Sequence, residues 1–160
     1  MRIAVLNGPN LNLLGSREPE VYGTTTLAEI EARLAEVAGV LGVVLVFGQF
    51  NHEGDLIDTI HALGGRPAAP GVAPALRARA DGAIVNAGAW SHTSLALRDA
   101  LTGVGLPFVE VHISNIFARD RQRRHSLLAS AAKGFVCGLG AQGYELAFRG
   151  LAAQLPARAR

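Results

Sequence analysis

The sequence predicts an α/β fold in which a parallel β-sheet is covered by helices on both faces. Short aliphatic runs alternate along the chain with longer segments whose apolar residues recur every three or four positions. Strands that alternate with helices form parallel sheets, because each helix carries the chain back across the sheet. The length of 160 residues, without a repeat or a dividing linker, predicts one domain spanning 1–160.

The first strand and the first long helix have clear local signals. The strand is predicted at Arg2–Asn7 (RIAVLN), an aliphatic run that ends at a Gly-Pro pair. Thr26 and Glu29 have the spacing of a capping box, and Gly42 is a typical helix terminator. Between these signals, apolar residues follow helical spacing at Leu27, Ile30, Leu34, Val37 and Leu41.

The remaining elements continue the alternation. Four more apolar runs predict strands over 43–49, 82–88, 107–114 and 135–140. Helices are predicted over 53–65, 93–105 and 141–155, and a polar helix or turn over 119–130. The Gly- and Pro-rich segment Gly64–Pro74 predicts an excursion at the surface. Five strands joined by right-handed crossovers predict a flavodoxin-like, doubly wound, five-stranded parallel sheet.

Polar residues gather where four of these strands end. They occupy segments 7–12, 49–53, 86–92 and 112–115. In open parallel sheets, ligands bind beyond the carboxyl ends of the strands. The distribution therefore predicts one pocket at that edge of the sheet.

Composition narrows the classes of function. The formal charge of +2 is too small, and aromatic residues at 6% too few, to favour nucleic-acid binding. Fourteen of the fifteen basic residues are arginine, whose planar fork suits carboxylate ligands. No apolar run has the length of a membrane helix, and the N-terminal run is too short for a secretory signal. With a single cysteine, Cys137, a reducing compartment is favoured, and we expect the cytoplasm.

The sequence gives little support for a metal site, a nucleotide-binding loop, a hydrolase triad or a catalytic lysine. The five histidines are scattered without metal-ligand spacing, and no Gly-rich nucleotide loop is present, so we expect neither a metal nor a cofactor. A hydrolase triad of Ser91 or Ser94 with His92 and Asp99 lacks the usual nucleophile elbow, and the Ser/Thr run is more typical of a helix cap. Lys133, the only lysine, is best explained as a basic helix end, and the run 119–124 (RDRQRR) as a solvated helix face.

Two pairs of residues are suited to proton transfer. Tyr22 follows Arg17 by five residues, and a nearby guanidinium favours the phenolate form of a tyrosine. His112 ends an apolar strand two residues after Glu110, so both side chains lie on the same face of that strand. A carboxylate there could orient the imidazole and keep it protonated. Packing roles for Tyr22 and His112 remain alternatives at this point.

Taken together, five segments resemble the type II 3-dehydroquinate dehydratase family. The first is LNGPNLNLLGSREPEVYG, which follows the start of the chain. QFNHEGDLIDTIH, IVNAGAWSHTSLALRDAL, PFVEVHISN and GLGAQGYELA come after it in the family's order. They cover most of the chain, and the combination is highly specific.

The resemblance implies a dehydration of 3-dehydroquinate to 3-dehydroshikimate through an enolate, without a cofactor. Carried over by position, Tyr22 would be the base that removes a proton from C2, and Arg17 would lower its pKa. Asn10 would help to hold the enolate. His112 would give a proton to the departing hydroxyl, with Glu110 as its orienting partner.

The same resemblance implies the substrate contacts and the assembly. The hydroxyls of the substrate would be bound by Asn86, His92 and Arg123, and its carboxylate by Ile113 and Ser114. Asp99 would lie at the border with a neighbouring subunit, since the family commonly forms a dodecamer built from trimers. Homo-oligomerisation and a small-molecule substrate are thus expected, with no nucleic-acid or membrane partner.

The chain departs from the family pattern at a few positions. The segment Gly64–Pro74 is longer than the family's usual connection. Phe50 replaces the small polar residue expected before Asn51, and Trp90 occupies a variable position. Gln122 replaces a common aromatic, so Arg124 is an alternative to Arg123 as a substrate contact. Two other hypotheses are a flavodoxin-like binding module without chemistry, and a dehydratase that forms an imine through Lys133.

Overall fold

The computed structural model describes residues 1–16 and 23–156 of the chain. Arg17 and Tyr22, two of the predicted catalytic residues, lie outside the described residues. The strands are β1 (Arg2–Asn7), β2 (Val44–Gln49), β3 (Gly82–Asn86), β4 (Phe108–His112) and β5 (Gly134–Cys137). The helices are α1 (Leu27–Leu41), α2 (Glu53–Leu63), α3 (Trp90–Thr93), α4 (Leu95–Gly103) and α5 (Gln142–Gln154).

The five strands form one parallel sheet in the order β2-β1-β3-β4-β5. The chain moves outward from β1 to β2, returns to β3 on the other side of β1, and then continues to β5. This order is that of flavodoxin-like sheets, and its direction reverses between β1 and β3. The predicted fold class is confirmed, and the reversal marks the expected ligand crevice.

Helices cover both faces of the sheet, as the alternating pattern requires. Ala4 and Leu6 of β1 belong to one core cluster, which α2 and α4 complete with Leu56, Ile60, Leu97 and Leu101. Ile3 and Val5 point to the opposite face and pack with Ile30 and Leu34 of α1 and with Phe148 and Leu151 of α5. Because successive strand residues face opposite sides, a strand buried on both faces has the continuous aliphatic run seen in RIAVLN.

Local signals set the start and the end of the first helix as predicted. The Thr26 hydroxyl accepts the Glu29 N–H at 3.2 Å, and a Glu29 carboxylate oxygen accepts the Thr26 N–H at 2.7 Å. Gly42 follows the helix with φ 64°, a conformation that favours glycine. At α4, Ser94 caps the helix by accepting the Leu97 N–H at 2.8 Å.

The segment 119–130 has less helix than its polar pattern allowed. The segment 119–130 forms a single 3₁₀ turn, Arg121–Arg123, and no α-helix, so the arginine run has no long helix face. Tertiary contacts hold it instead, since Leu128 is fully buried and the Leu127 N–H donates to the Ser91 carbonyl at 2.8 Å. The segment Gly64–Pro74 is mostly exposed, as predicted, and Val72 anchors it in the core. None of the helices in residues 1–16 and 23–156 is long and apolar enough to cross a membrane.

Candidate active site

A cavity of about 190 Å³ lies at the carboxyl edge of the sheet, between the loops that follow β1, β3 and β4. Seven of the predicted site residues line it: Asn10, Asn86, His92, His112, Ile113, Ser114 and Arg123. These seven residues come from segments more than one hundred positions apart in the chain. The prediction of one pocket is therefore confirmed for three of the four strand ends.

The fourth strand end supports the site from behind. None of residues 49–53 lines the cavity. Instead, the Asn51 side-chain oxygen accepts the backbone N–H of Asn10 at 3.0 Å, and the Gln49 amide donates to the Gly8 carbonyl at 3.1 Å. Asn10 has a positive φ of 64°, which is uncommon outside glycine but tolerated by asparagine. Residues at and just after the end of β2 thus fix the backbone of the loop that carries Asn10.

The loops after β1 and β3 are in direct contact. The Gly8 N–H donates to the Asn86 carbonyl at 2.8 Å. A Cβ atom at residue 8 would lie 2.3 Å from the carbonyl oxygen of Ala87, so only glycine allows this approach. The close contact places Asn10 and Asn86 in the wall of the same cavity.

Asn86 is held by a buried network that reaches the far side of the sheet. Its Nδ2 donates to the Tyr144 hydroxyl at 2.7 Å, and its Oδ1 accepts the Gly88 N–H at 3.2 Å. The Tyr144 hydroxyl in turn donates to Asn7 Oδ1 at 2.6 Å. Burial raises the pKa of Tyr144 well above its usual value, so the phenol keeps its proton. The amide of Asn86 therefore has one fixed orientation, and among residues 1–16 and 23–156 its second Nδ2 hydrogen has no acceptor.

Glu110 and His112 form the hydrogen-bonded pair that the sequence predicted. His112 Nε2 lies 2.7 Å from Glu110 Oε1, and both side chains are buried. The Ser126 hydroxyl is also close to this carboxylate, at 2.7 Å from Oε1 and 2.8 Å from Oε2. A buried carboxylate needs such partners, because an unpaired charge in the interior is very unfavourable. The pair presents an oriented imidazole to the cavity.

His92 stacks on His112 and is oriented by a backbone carbonyl. The ring centroids are 6.1 Å apart with an interplanar angle of 18°. His92 Nδ1 lies 2.6 Å from the His125 carbonyl oxygen, which can only accept, so Nδ1 carries a hydrogen. Burial lowers the pKa of His92, and the nearby His112, His125 and Arg123 lower it further, against the effect of the His125 carbonyl. A neutral His92 then has Nε2 as a hydrogen-bond acceptor.

Two arginines give the cavity a positive side. Arg123 lines it and is hydrogen-bonded to Asp120, which lowers the pKa of that carboxyl group. Arg119 also lines it, and its guanidinium donates to the Ser114 hydroxyl at 3.3 Å. Arg124, the alternative to Arg123, donates to the Arg119 carbonyl at 2.6 Å and does not line the cavity. Of Arg123 and Arg124, only Arg123 lines the cavity.

Other candidate residues lie apart from the cavity. Asp99 is exposed on α4 and lines a separate shallow depression with His61 and Arg66. With Asp99 absent from the cavity, no triad with His92 forms within the chain. Lys133 is exposed and directly precedes β5, at the opposite edge of the sheet from the cavity. Within the described residues, no group of three or more His, Cys, Asp or Glu side chains could hold a metal ion.

Comparison with known proteins identifies the family. The family model for "Dehydroquinase class II" matches residues 1–152. The chain belongs to the class II dehydroquinase family. Relatives named 3-dehydroquinate dehydratase include one from Gemmatimonas aurantiaca, 59% identical over 94% of this chain and 91% of its own length. Another, from Rhodopseudomonas palustris, is 53% identical over 98% of this chain and 96% of its own.

Solved structures agree with the dehydroquinase assignment. The type II dehydroquinase from Propionibacterium acnes matches with a TM-score of 0.82 and 40% identity, covering 96% of this chain and 97% of that one. The type II dehydroquinase from Butyrivibrio crossotus matches with a TM-score of 0.83 and 36% identity, over 94% and 97%. The resemblance to this family is therefore confirmed, both in sequence and in fold.

Three polar side chains at this dehydroquinase site were not among the predicted site residues. Arg119 lines the cavity, Ser126 contacts Glu110, and Tyr144 holds Asn86. Arg119 lay within the arginine run, and Tyr144 within GLGAQGYELA, yet neither position carried a local signal of its role. Ser126 lies in the polar segment that follows β4, and this position was the only signal in the sequence.

Proposed function

We propose that the chain, acting as one catalytic domain, dehydrates 3-dehydroquinate to 3-dehydroshikimate through an enolate and without a cofactor, in the shikimate pathway. The observation that carries the proposal is the oriented Glu110–His112 pair in the wall of a cavity at the β1/β3 crevice. Membership of the class II dehydroquinase family supports the choice of substrate.

The first step would remove a proton from C2, next to the ketone. Such a proton is weakly acidic, so its removal needs a strong base and stabilisation of the enolate oxygen. Tyr22 as a phenolate would be the base, with Arg17 favouring that form. Asn10, whose backbone is fixed by Asn51, would hold the enolate.

The second step would expel the hydroxyl group from the neighbouring carbon. Hydroxide is a poor leaving group, so an acid must protonate it as the bond breaks. His112 would give this proton, and the carboxylate of Glu110 would balance the positive charge of the ring. Base and acid then come from different strand ends, on different sides of the substrate.

The remaining contacts would orient the substrate. Its carboxylate would meet the backbone N–H groups of Ile113 and Ser114, which have no acceptor among the described residues. Arg119 and Arg123 add positive charge on that side of the cavity. Asn86, through its free Nδ2 hydrogen, would donate to a substrate hydroxyl, while His92 would accept from one.

We also propose the assembly and the location expected for the family. Asp99 is exposed on α4, so it is available to a neighbouring subunit of a trimer. Four such trimers would form the dodecamer. The single cysteine suits a reducing compartment, and the cytoplasm is the location we propose.

A continuous absorbance assay tests the proposed function. The product is a conjugated enone, so its ultraviolet absorbance should rise when 3-dehydroquinate is added to the purified protein. His112→Asn should lower kcat by about a hundredfold or more, since general acid catalysis contributes about 10²–10⁴-fold. His52→Asn is the matched control, because His52 is exposed and lines no part of the cavity. Folded wild-type protein without turnover would refute the proposal.

A further inference from the structure

The carboxylate of Glu110 has a second partner in addition to His112. Ser126 Oγ lies 2.7 Å from Oε1 and 2.8 Å from Oε2. Among the described residues, the side chains of His112 and Ser126 are the hydrogen-bond partners of this fully buried carboxylate. Ser126 itself is not part of the cavity wall, so it acts on the site only through Glu110.

The direction of the Ser126 hydrogen bond follows from its other contacts. The same oxygen accepts the backbone N–H of Leu128 at 3.0 Å and that of Ala129 at 3.1 Å. A serine hydroxyl has one hydrogen and two lone pairs. Since both lone pairs face backbone donors, the hydrogen points to Glu110, and Glu110 acts as the acceptor.

This direction fixes the arrangement of hydrogens on His112. Glu110 Oε1 lies 2.7 Å from Nε2, and an accepting oxygen requires Nε2 to carry a hydrogen. The second ring nitrogen, Nδ1, has no hydrogen-bond partner in the part of the chain that the structure describes. His112 lines the cavity, so Nδ1 is the nitrogen left for a ligand.

Ser126 is itself held firmly against α3. On one side of it, His125 Nε2 lies 2.9 Å from the His92 carbonyl oxygen and donates to it. On the other side, the Leu127 N–H donates to the Ser91 carbonyl at 2.8 Å. The hydroxyl is therefore presented to Glu110 from a segment that is fixed at both neighbours.

We propose that Ser126 is a positioning residue, whose hydroxyl fixes the Glu110 carboxylate so that His112 is held through Nε2–H and offers Nδ1 to the reacting hydroxyl of the substrate. The last part of this inference rests on the proposed function. The chain of hydrogen bonds that joins Ser126, Glu110 and His112 is independent of the proposed function.

Three variants test the role of Ser126 by kinetics. Ser126→Ala removes the donor, Ser126→Thr keeps it, and Ser130→Ala is a control at an exposed serine of the same segment. For Ser126→Ala we expect kcat to fall about tenfold with KM within about twofold, since a hydrogen bond to a charged group is worth about that factor. The basic limb of the pH–rate profile should move up by about one pH unit, because a carboxylate without this donor holds the proton of His112 more tightly. The other two variants should resemble the wild type.

A second readout does not require turnover. In protein labelled with ¹⁵N at histidine, the ring signals of His112 report which nitrogen carries the hydrogen, and the spectrum of His112→Asn assigns them. We expect Ser126→Ala to shift the pH dependence of these signals and Ser126→Thr to leave it unchanged. If wild-type protein shows no turnover but the signals shift as expected, the proposed function fails and the placement of Ser126 stands.

A purely structural role of Ser126 predicts a different set of results. If Ser126 serves only as a backbone cap for Leu128 and Ala129, Ser126→Ala will lower Tm and leave the pH–rate profile and the His112 signals unchanged. That result would overturn the proposal. Should Ser126→Ala fail to fold, Ser126→Cys supplies a weaker donor of similar shape, and a wild-type profile in that variant would overturn it as well.

Discussion

Replacing Tyr144 with phenylalanine removes one oxygen atom from the centre of the molecule. That hydroxyl accepts from Asn86 Nδ2 at 2.7 Å and donates to Asn7 Oδ1 at 2.6 Å. All three side chains are buried, with relative exposures of 0% for Tyr144 and Asn7 and 3% for Asn86. The variant therefore leaves one donor and one acceptor without a partner and without access to water.

The expected loss of stability follows from these two orphaned groups. An unsatisfied buried polar group costs about 1–3 kcal/mol, which gives about 2–6 kcal/mol for the pair. The variant no longer buries the hydroxyl itself, which returns about 1 kcal/mol. We expect the free energy of unfolding to fall by about 3 kcal/mol, and Tm by roughly 6–12 °C for a chain of this size.

Urea unfolding at a fixed protein concentration measures this loss, since oligomerisation makes apparent stability depend on concentration. Thr102→Val is the matched control, because the Thr102 hydroxyl is exposed and donates only to carbonyls of its own helix. Its loss should stay below about 0.5 kcal/mol. A loss of less than about 0.5 kcal/mol for Tyr144→Phe would refute the reasoning that the network is dry and satisfied.

A double-mutant cycle of Tyr144→Phe with Asn7→Ala tests whether the loss of stability comes from the hydrogen bond between these two side chains. Because Tyr144 and Asn7 are direct partners, their substitutions should couple by about 1 kcal/mol, whereas Tyr144→Phe and Thr102→Val should be additive. Since Asn86 would bind a substrate hydroxyl, Tyr144→Phe should also raise KM. Unchanged KM would separate the stabilising role of the network from any role in orienting Asn86.

Two further predictions concern the proposed base with its arginine, and one concerns the pH dependence of stability. Tyr22→Phe should fold normally but lose nearly all turnover in the enone absorbance assay, and near-normal turnover would show that the base is misassigned. Arg17→Gln should lower the rate and shift the pH–rate profile. An unshifted profile would argue against a role of Arg17 in lowering the pKa of the base. His92 should make stability fall with acid, because burial lowers its pKa below 6.5 in the folded state. The contribution of neutral His92 to the free energy of unfolding is fully present above pH 6.5. It is lost as the pH falls through the lowered pKa of the folded state, because the unfolded chain binds the proton more readily than the folded chain. Between pH 7.5 and 5, Tm should drop more in wild type than in His92→Gln, and equal drops would contradict this assignment.

Most of the fold could be predicted from local patterns. The aliphatic run of β1 and the capping box at Thr26 and Glu29 both appear as predicted. The run leaves its pattern because the strand is buried on both faces, and the box because its hydrogen bonds join residues three positions apart. The strands β3, β4 and β5 end two, two and three residues before their predicted ends. After β3 and β5 the chain turns out of the sheet at Gly88 and Gly138, which have positive φ values. The short helix α3 was missed, because four residues give too little periodicity to recognise.

The sequence by itself determined the fold class, the family, the edge of the sheet at which the cavity lies, and the proximity of Glu110 and His112, which needs only the two-residue repeat of a strand. Only the tertiary structure decided that Tyr144 holds Asn86 from 58 residues away, that Ser126 donates to Glu110, and that Arg123 lines the cavity while Arg124 does not. The physical reason is range. Helical hydrogen bonds, caps and side-chain periodicity involve residues a few positions apart and leave a pattern in the sequence, whereas the partner of a buried polar group is chosen by packing between distant segments.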